Sequence, residues 1–581
     1  MSAKKTQSEV SLAPSEEAIP RPRLHKIIIK NFRSIGQNPI EIELDDIVVL
    51  VGPNNAGKSS ILRAYEIVMS HGSKEGKLSI DDFPNGIVDQ GFLPTIELQT
   101  IIFENKPGAR WLNDLGNSEY LIRELWVWDS PGKDPIRKGF DVEQNNWSSE
   151  VPWGAPNVAN ANRPIPHRID AFATPEDHAI ELADLVTSIL KEKISAHKTK
   201  PDQTQSDYEL ILEQIKILQS NVVVATEEEI SKIERSISEY VSKLFPEHLV
   251  HFDAKPESDI DKVYTPFKAK PEFRIGTRNG FLSPIKLQGS GARRTLIWAV
   301  LKYLSDMKDA DKEKLRPHVL LMDEPEICLH PSAIREARTI LYDLPSSGNW
   351  QVIVTSHSPV FIDLTKDNTT IIRVFRNEQS DVRTTTLYRP QRAKLDSDDK
   401  KNMKLLNICD PYVHEFFFGG KQIIVEGDTE YTAFSMIKEL YPDEYNNIQV
   451  IRARGKGVIP SIAKVLLQFA KSFTILHDSD FPTLASGKSN PAWGMNKSIQ
   501  AIKSIENASE KVKLIACKTC FEVAVFGEEA KQEKPYNALV KIRTNETYKK
   551  TVKELFDYLI GKEEAKLPEN FIEWNHIKDL E

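Results

Sequence analysis

Short apolar, β-branched runs recur along this chain, and each of them ends in a polar or glycine-rich cluster. Ile47 to Val51 runs into Gly52-Pro53-Asn54-Asn55-Ala56-Gly57-Lys58-Ser59-Ser60 and then an amphipathic stretch, Ile61 to Met69. Val319 to Met322 ends in Asp323-Glu324-Pro325-Glu326, ahead of a helical pattern from Ser332 to Tyr342, and Trp350 to Val354 ends in Thr355-Ser356-His357-Ser358. Farther on, Ile423 to Val425 ends in Glu426-Gly427-Asp428-Thr429-Glu430 with a helical segment to Leu440, and Thr474 to Leu476 ends in His477-Asp478-Ser479-Asp480. Runs of this kind are buried strands, and their alternation with helices predicts parallel α/β sheets whose ligands gather at the carboxyl ends of the strands.

The other segments fill in around these units. Alternation over Leu24 to Ile35 and Ile40 to Leu44 predicts half-buried strands, and Phe92 to Phe103 predicts another, on which Gln99 reads as structural. Trp111 to His167 is rich in Trp, Pro, Asn and Gly, and its aromatics read as packing groups. Pro175 to Leu190, Ser206 to Gln219 and Glu227 to Phe245 carry apolar residues at helical spacing; they form either a partner or dimerisation arm or a helical subdomain packed on its own sheet. Arg376 to Lys404 reads as a connecting segment, and Val552, Leu555, Tyr558 and Leu559 as a helical cap.

Composition narrows the setting. No run of about twenty apolar residues occurs, which excludes a helical membrane span, and Met1 to Arg23 reads as a disordered arm. Four cysteines cannot frame the fold with disulfides, which places the chain in a reducing cytoplasm. Cys517-Lys518-Thr519-Cys520 lacks a second half-site for zinc and reads as two small residues at a strand end. The net charge of -8 means that any nucleic acid must be held in a local groove and through metal ions, not by a general positive field.

The chemistry sits in the strand-end clusters. Gly52 and Gly57 let the backbone curl so that its N–H groups, with Asn54, Asn55 and Ser60 around them, face phosphates; Lys58 would reach the β and γ phosphates of ATP and Ser59 would hold magnesium. Glu426, Glu430, Asp478 and Asp480, brought to the ends of neighbouring strands, repel one another unless they take up protons or hold a cation, and hard oxygen ligands select magnesium or manganese. Glu522 is a further candidate carboxylate, and Lys534 could steady charge on a phosphate. Arg452-Ala453-Arg454-Gly455-Lys456-Gly457 is open to two readings, a grip on a DNA phosphate or a plain turn.

Two resemblances join these parts. Val425-Glu426-Gly427-Asp428-Thr429-Glu430 followed by Asp478-Ser479-Asp480 resembles the Toprim domain over about Lys421 to Asn537, and the phosphate loop, the Asp323-Glu324 strand end and His357 resemble ABC-type ATPase heads over about Leu24 to Arg376. The ABC resemblance implies that Asp323 supports the magnesium, Glu324 polarises the attacking water and His357 contacts the γ phosphate. It also implies that Ser290, Gly291 and Arg293, in a relaxed signature segment, complete a nucleotide site on a second subunit. ATPase then Toprim in one chain resembles the OLD family of ATP-dependent nucleases, which includes the nuclease subunit of the Gabija anti-phage system.

That resemblance implies an α/β chain laid out as a disordered arm (1–23), an ATPase in two parts (24–170 and 251–400) split by a helical insertion (171–250), a Toprim nuclease domain (401–540) and a helical cap (541–581). It implies a metal-dependent DNA endonuclease, a homo-oligomer (dimer or tetramer), acting in defence, with a helicase-like partner in some relatives. Glu426, Asp478 and Asp480, aided by Glu430 and Glu522, would then hold two magnesium or manganese ions. The alternative is an ATP-switched DNA-binding or sensor protein whose Toprim unit recruits a partner and does not cut. A topoisomerase subunit or a primase is disfavoured by the lack of a region for a nucleophilic tyrosine domain or a zinc module.

Overall fold

The computed structural model describes residues 21–103, 106–170, 281–305, 317–347, 349–410, 413–529 and 532–581, with isolated positions between 174 and 275. It divides into two compact units, Met1–Ala171 with Pro317–Glu581, and Phe172–Arg316. The arm expected over 1–23 falls outside the described residues except for 21–23, and the insertion expected over 171–250 lies almost wholly outside them.

The larger unit holds three sheets among its described residues. Its first strands are β1 (Arg23–Lys30), β2 (Ile40–Glu43) and β3 (Ile47–Val51), the last followed by helix α1 (Lys58–Met69). Next come β4 (Thr95–Ile102), β5 (Asn113–Gly116), β6 (Glu119–Val127), β7 (Ile136–Asp141), β8 (Asn146–Ser148) and β9 (Ile165–Ile169). An antiparallel sheet runs β2-β1-β4-β6-β7-β8, with β5 beside β6. Elements thus run through the Trp111 to His167 stretch, whose sequence carries little periodicity. The pattern was hidden because inward positions of this sheet carry charges: Glu124 on β6 and Arg137 on β7 are buried, with Arg163, from the segment before β9, buried against them. The aromatics of that stretch do pack, Trp126 and Trp128 being fully buried.

The smaller unit contributes the two-residue strands β10 (Arg274–Ile275) and β11 (Ser283–Pro284) and helix α2 (Ser290–Ser305). Back in the larger unit, β12 (His318–Asp323), helix α3 (Pro331–Asp343), β13 (Trp350–Thr355), β14 (Thr369–Arg376) and β15 (Val382–Tyr388) complete the ATPase sheet, ordered β15-β14-β3-β13-β12-β9. All its pairs are parallel except β14 with β15. β3 and β13 are buried at every position, as expected for central parallel strands covered on both faces. Gln351 ties the two sheets together, its side-chain amide exchanging hydrogen bonds with the backbone of Leu24 at 2.7 and 3.0 Å.

β15 corrects the expectation that Arg376 to Lys404 merely connects. Val-Arg-Thr-Thr-Thr-Leu-Tyr reads as polar because an edge strand buries only part of its surface. The acidic run after it starts helix α4 (Ser397–Cys409), where the Asp396 carboxylate accepts from the amides of Asp398 and Asp399 in a capping box.

The third sheet is built from β16 (Lys421–Val425), β17 (Ile448–Arg452), β18 (Phe473–Asp478), β19 (Val512–Cys517) and β20 (Phe571–Glu573), in the order β17-β16-β18-β19-β20. Only β20 runs antiparallel. The C-terminal segment therefore does more than cap: after helices α7 (Lys534–Thr544) and α8 (Glu546–Leu559), the chain returns to add an edge strand. Val552, Leu555, Phe556 and Leu559, on one face of α8, join Phe434 and Tyr445 in the core beneath the sheet. Helix α5 (Asp428–Leu440) follows β16, and the short helix α6 (Phe521–Phe526) follows β19. Helices thus leave the carboxyl ends of two strands, which is where the acidic clusters stand.

Two groups make the larger unit's stability testable. Glu124 accepts from Arg137 Nε at 2.8 Å and Arg163 Nε at 3.1 Å with all three side chains buried. Glu124→Ala would remove the buried carboxylate that both guanidinium groups share and should cost about 3–5 kcal/mol in denaturant unfolding. His414, fully buried beside Phe416 and Phe417, has its imidazole pushed down by burial from 6.5 to about 4. Its neutral form is the folded form, so from pH 6.5 down to 4 the unfolded chain takes up a proton that the folded chain does not. Stability is therefore expected to fall by about 3 kcal/mol across that window, and His414→Phe should flatten that slope in a pH series of melts.

Candidate active site

The phosphate loop leaves β3 and closes at α1. Gly52 has φ +144, and a Cβ there would lie 2.0 Å from the carbonyl oxygen of Val374; Gly57 has φ +102 and a Cβ would meet Ser34 Oγ at 3.0 Å. Both positions require glycine. Asn55 is itself left-handed, and its carbonyl accepts from Arg376 Nε at 3.1 Å. Lys58 is buried, with Nζ 3.0 Å from the carbonyls of Gly52 and Pro53 and 2.8 Å from His357 Nε2; burial pushes its ammonium down. Ser60, next to it, is buried on α1.

The adjacent strand ends bring the remaining groups to this loop. Asp323 and Thr355 are paired in register across β12 and β13. Asp323 Oδ2 accepts from Ser59 Oγ at 2.8 Å, and Oδ1 accepts from Thr355 Oγ1. Glu324 stands at φ 44, a left-handed conformation held by its N–H donating to Thr355 at 3.1 Å, and its carboxylate lies 3.4 Å from His357 Nε2. Lys58, Ser59, Asp323, Glu324 and His357 thus form one cluster from three separated segments. Sequence reasoning did not assign Glu326. It accepts from the His357 amide at 2.7 Å and from Ser356 Oγ at 3.1 Å, holding the histidine's backbone in place. Ser290, Gly291 and Arg293 open α2 in the smaller unit, where Arg293 Nη1 donates to the Gln288 carbonyl at 3.1 Å.

In the third sheet, Glu426 follows β16, Asp478 ends the neighbouring β18, and Glu522 lies in the first turn of α6 after β19. Asp478 N donates to Glu426 Oε2 at 3.1 Å. Asp478 Oδ1 in turn accepts from Phe521 N, at the start of α6, at 2.9 Å. Glu430 folds back so that its carboxylate accepts from Gly427 N at 3.2 Å, and Glu522 Oε1 accepts from Thr429 Oγ1 at 3.1 Å. Glu430 and Glu522 are 3% and 5% exposed, which leaves little water to screen the charges from one another.

Burial, reinforced by Glu426 and Glu522, pushes Glu430 up to about 7. Burial and the same neighbours, with Glu430 the nearest in effect, push Asp478 well above the carboxylate range, and burial raises Glu426. These four acids are one electrostatic unit. Asp480, at φ 61, stands slightly apart because its carboxylate is ion-paired with buried Lys456. Lys534 lies 3.6 Å from Glu522 and 2.8 Å from Glu529. Of the two readings for Arg452 to Gly457, internal pairing holds for two residues: Arg452 bridges Asp410 and Asp428 at 2.8 and 3.0 Å, and Lys456 holds Asp480. Their charge is spent on the protein's own acids.

A support that sequence reasoning missed lies beneath Asp478. His477 is fully buried, and its Nε2 accepts from Trp574 Nε1 at 3.0 Å, so Nδ1 carries the proton and donates to the Asp478 carbonyl at 2.7 Å. No local signal ties Trp574 to this strand, 97 residues earlier. Cys517, buried at the end of β19, is a thiol pushed well up by burial and by the nearby acids, and so stays uncharged.

A model described as an AAA ATPase domain matches residues 23–147 and 160–362, more than half of the chain. One described as overcoming lysogenization defect protein-like, TOPRIM domain, matches residues 417–480. The chain belongs to the AAA ATPase family of the first model and carries an OLD-like TOPRIM domain. Two OLD relatives align with it across both parts. The Old nuclease of Escherichia phage P2 is 26% identical over 480 residues, 79% of this chain and 77% of that protein. The OLD nuclease of Thermus scotoductus is 23% identical over 465 residues, 79% and 82% of the two chains. Among solved structures, an Smc head bound to the C-terminal winged-helix domain of ScpA is similar at 14% identity and a TM-score of 0.33, over 63% of this chain and 98% of that one; the assignment does not rest on it.

The phosphate loop and the acidic centre stand on different sheets. Lys58→Ala should weaken nucleotide binding by about 100-fold, as measured by calorimetry, because charge-assisted contacts to phosphate are lost. Circular dichroism and the melting midpoint should stay near those of the parent chain.

Proposed function

We propose that this protein is an ATP-regulated, divalent-metal-dependent DNA endonuclease, acting in defence against phage as a homo-oligomer. The observation that carries the reading is the convergence of Glu426, Glu430, Asp478 and Glu522 at the ends of three adjacent parallel strands, with so little water that the protonation of Glu426, Glu430 and Asp478 is shifted. A centre of that kind is costly to the fold unless a cation is drawn into it. The nuclease names of the relatives from phage P2 and Thermus scotoductus support the same chemistry.

The donor set suits magnesium or manganese, being made of hard carboxylate oxygens. No group of three or more His, Cys, Asp or Glu among the described residues is already arranged around a common point, so the side chains must turn inward to share an ion. Glu426, Glu430, Asp478, Asp480 and Glu522 are the residues that would do so. Ions bound there would supply positive charge beside a scissile phosphate and lower the pKa of water.

The chain's own groups do the remaining work. Backbone amides of Asp478, Gly427 and Phe521 hold the carboxylates of Glu426, Glu430 and Asp478 in their places. Lys456 keeps Asp480 at the rim. Lys534, facing Glu522 from α7, offers an ammonium to a phosphate oxygen. In the ATPase half, Lys58 and His357 would bind the γ phosphate, Ser59 and Asp323 the magnesium beside it, and Glu324 would orient water. Ser290, Gly291 and Arg293 would complete a nucleotide site on a second subunit. ATP would regulate cutting by preferring one arrangement of two such heads over another.

Supercoiled plasmid is the test substrate. With magnesium or manganese, the parent chain should nick it, and Glu426→Ala should lower the rate by about 100-fold or more while its melting midpoint holds or rises, since a buried carboxylate has been removed. Equal nicking by both would remove the acidic centre from the mechanism. Binding of the plasmid without nicking by the parent chain would favour the ATP-switched sensor. A rate that ATP changes in the parent but not in Lys58→Ala supports regulation through the phosphate loop, and a rate indifferent to ATP in both refutes it.

A further inference from the structure

Between the ATPase sheet and the start of the third sheet, within the larger unit, lies a cavity of about 640 Å³ that neither the ATPase nor the acidic centre uses. Its walls come from β14 and β15 on one side and from the first residues of β16 with the segments before β17 and β18 on the other. The volume falls within the range of small-molecule sites.

The lining has two characters. Phe416 and Phe417, nearly fully buried, form an apolar floor with half-buried Phe469, and Phe375 adds a fourth ring. Arg373 and Lys471 bring positive charge, and none of the lining residues is acidic. In a chain with a net charge of -8, a cationic cavity without a carboxylate is not the background composition. Lys421 also lines it, but its ammonium is engaged by the carbonyl of Ile560.

Arg373 is the deciding residue. Its Nε is buried without a hydrogen-bond partner, and its only charge-related contact among the described residues is with the Phe375 ring, 5.7 Å from the guanidinium carbon. The other arginines near the two sites described above, Arg376, Arg452 and Arg168, each have a partner. An unpaired, partly buried guanidinium loses hydration without compensation, so the group favours an anion. A planar guanidinium matches phosphate, and rings beside it suit a planar base.

We infer that this cavity binds a mononucleotide, with its phosphate on Arg373 and Lys471 and its base against the phenylalanine rings. The position gives the ligand a lever. Arg373 pairs in register with Val51, the last residue of β3, and the next residue, Val374, packs its carbonyl against Gly52 of the phosphate loop. On the opposite wall, Gln422 lies on β16, the strand that leads to Glu426. An occupant therefore touches both the strand beside the ATP loop and the strand that carries the acidic centre.

The test uses the full-length chain carrying Lys58→Ala, so that the phosphate loop is disabled, titrated with adenosine monophosphate by calorimetry. One site is expected, weakened at least ~10-fold by adding Arg373→Gln, as for loss of a charge-assisted hydrogen bond. Lys471→Glu, on the exposed rim, should weaken it similarly and guards against misfolding of the Arg373 variant; melting curves accompany both. Inorganic phosphate should bind at least ~10-fold more weakly than the nucleotide. Absence of a site, equal affinity in all three chains, or phosphate binding as tightly as the nucleotide would each overturn the assignment. None of these readouts depends on DNA cleavage, so the pocket and the nuclease reading stand or fall separately.

Discussion

Mutual repulsion among buried carboxylates is the constraint around which the third sheet is built. Glu426, Glu430, Asp478 and Glu522 would push one another apart if each were free to turn into water. Each is instead held by a separate donor: the amides of Asp478, Gly427 and Phe521, and the hydroxyl of Thr429. These donors are backbone groups at strand ends and helix starts, or a side chain in the first turn of α5, so the sheet's register sets the carboxylate positions. The His477 and Trp574 pair extends that support to the far edge of the sheet, fixing the tautomer beneath Asp478.

The ATPase half follows the same logic with opposite charge in play. Here a buried lysine, Lys58, is ringed by loop carbonyls and His357, while Asp323, Glu324 and Glu326 at the end of β12 balance it. Glu324 stands in a left-handed conformation and Gly52 packs directly on β14, which shows how tightly the loop and its neighbours are fitted. β14 is the strand that borders both the phosphate loop and the cavity at the junction.

Several parts of this arrangement were legible in the primary structure because they are local. A buried strand, a glycine-bearing turn and a helix start follow within about ten residues at Ile47 to Ser60, and again at Ile423 to Glu430. Such segments announce themselves through apolar runs and turn chemistry. The antiparallel strands after Trp111 did not, because Glu124 and Arg137 occupy inward positions, where Arg163 from the segment before β9 joins them in one buried ion cluster. β15 and β20 were likewise unreadable, since edge strands bury too little to carry an apolar signature.

The amino-acid order by itself thus determined the α/β class, the phosphate loop, and which acids stand at strand ends, all set by neighbours along the chain. Only the tertiary structure decided which of those acids share a volume, that Lys456 belongs to Asp480, that Glu326 holds the His357 backbone, and that Trp574 sits under Asp478. Those relations join residues from 24 to 97 positions apart. Strand order and register, which emerge when the whole core packs, are what bring them within hydrogen-bonding distance.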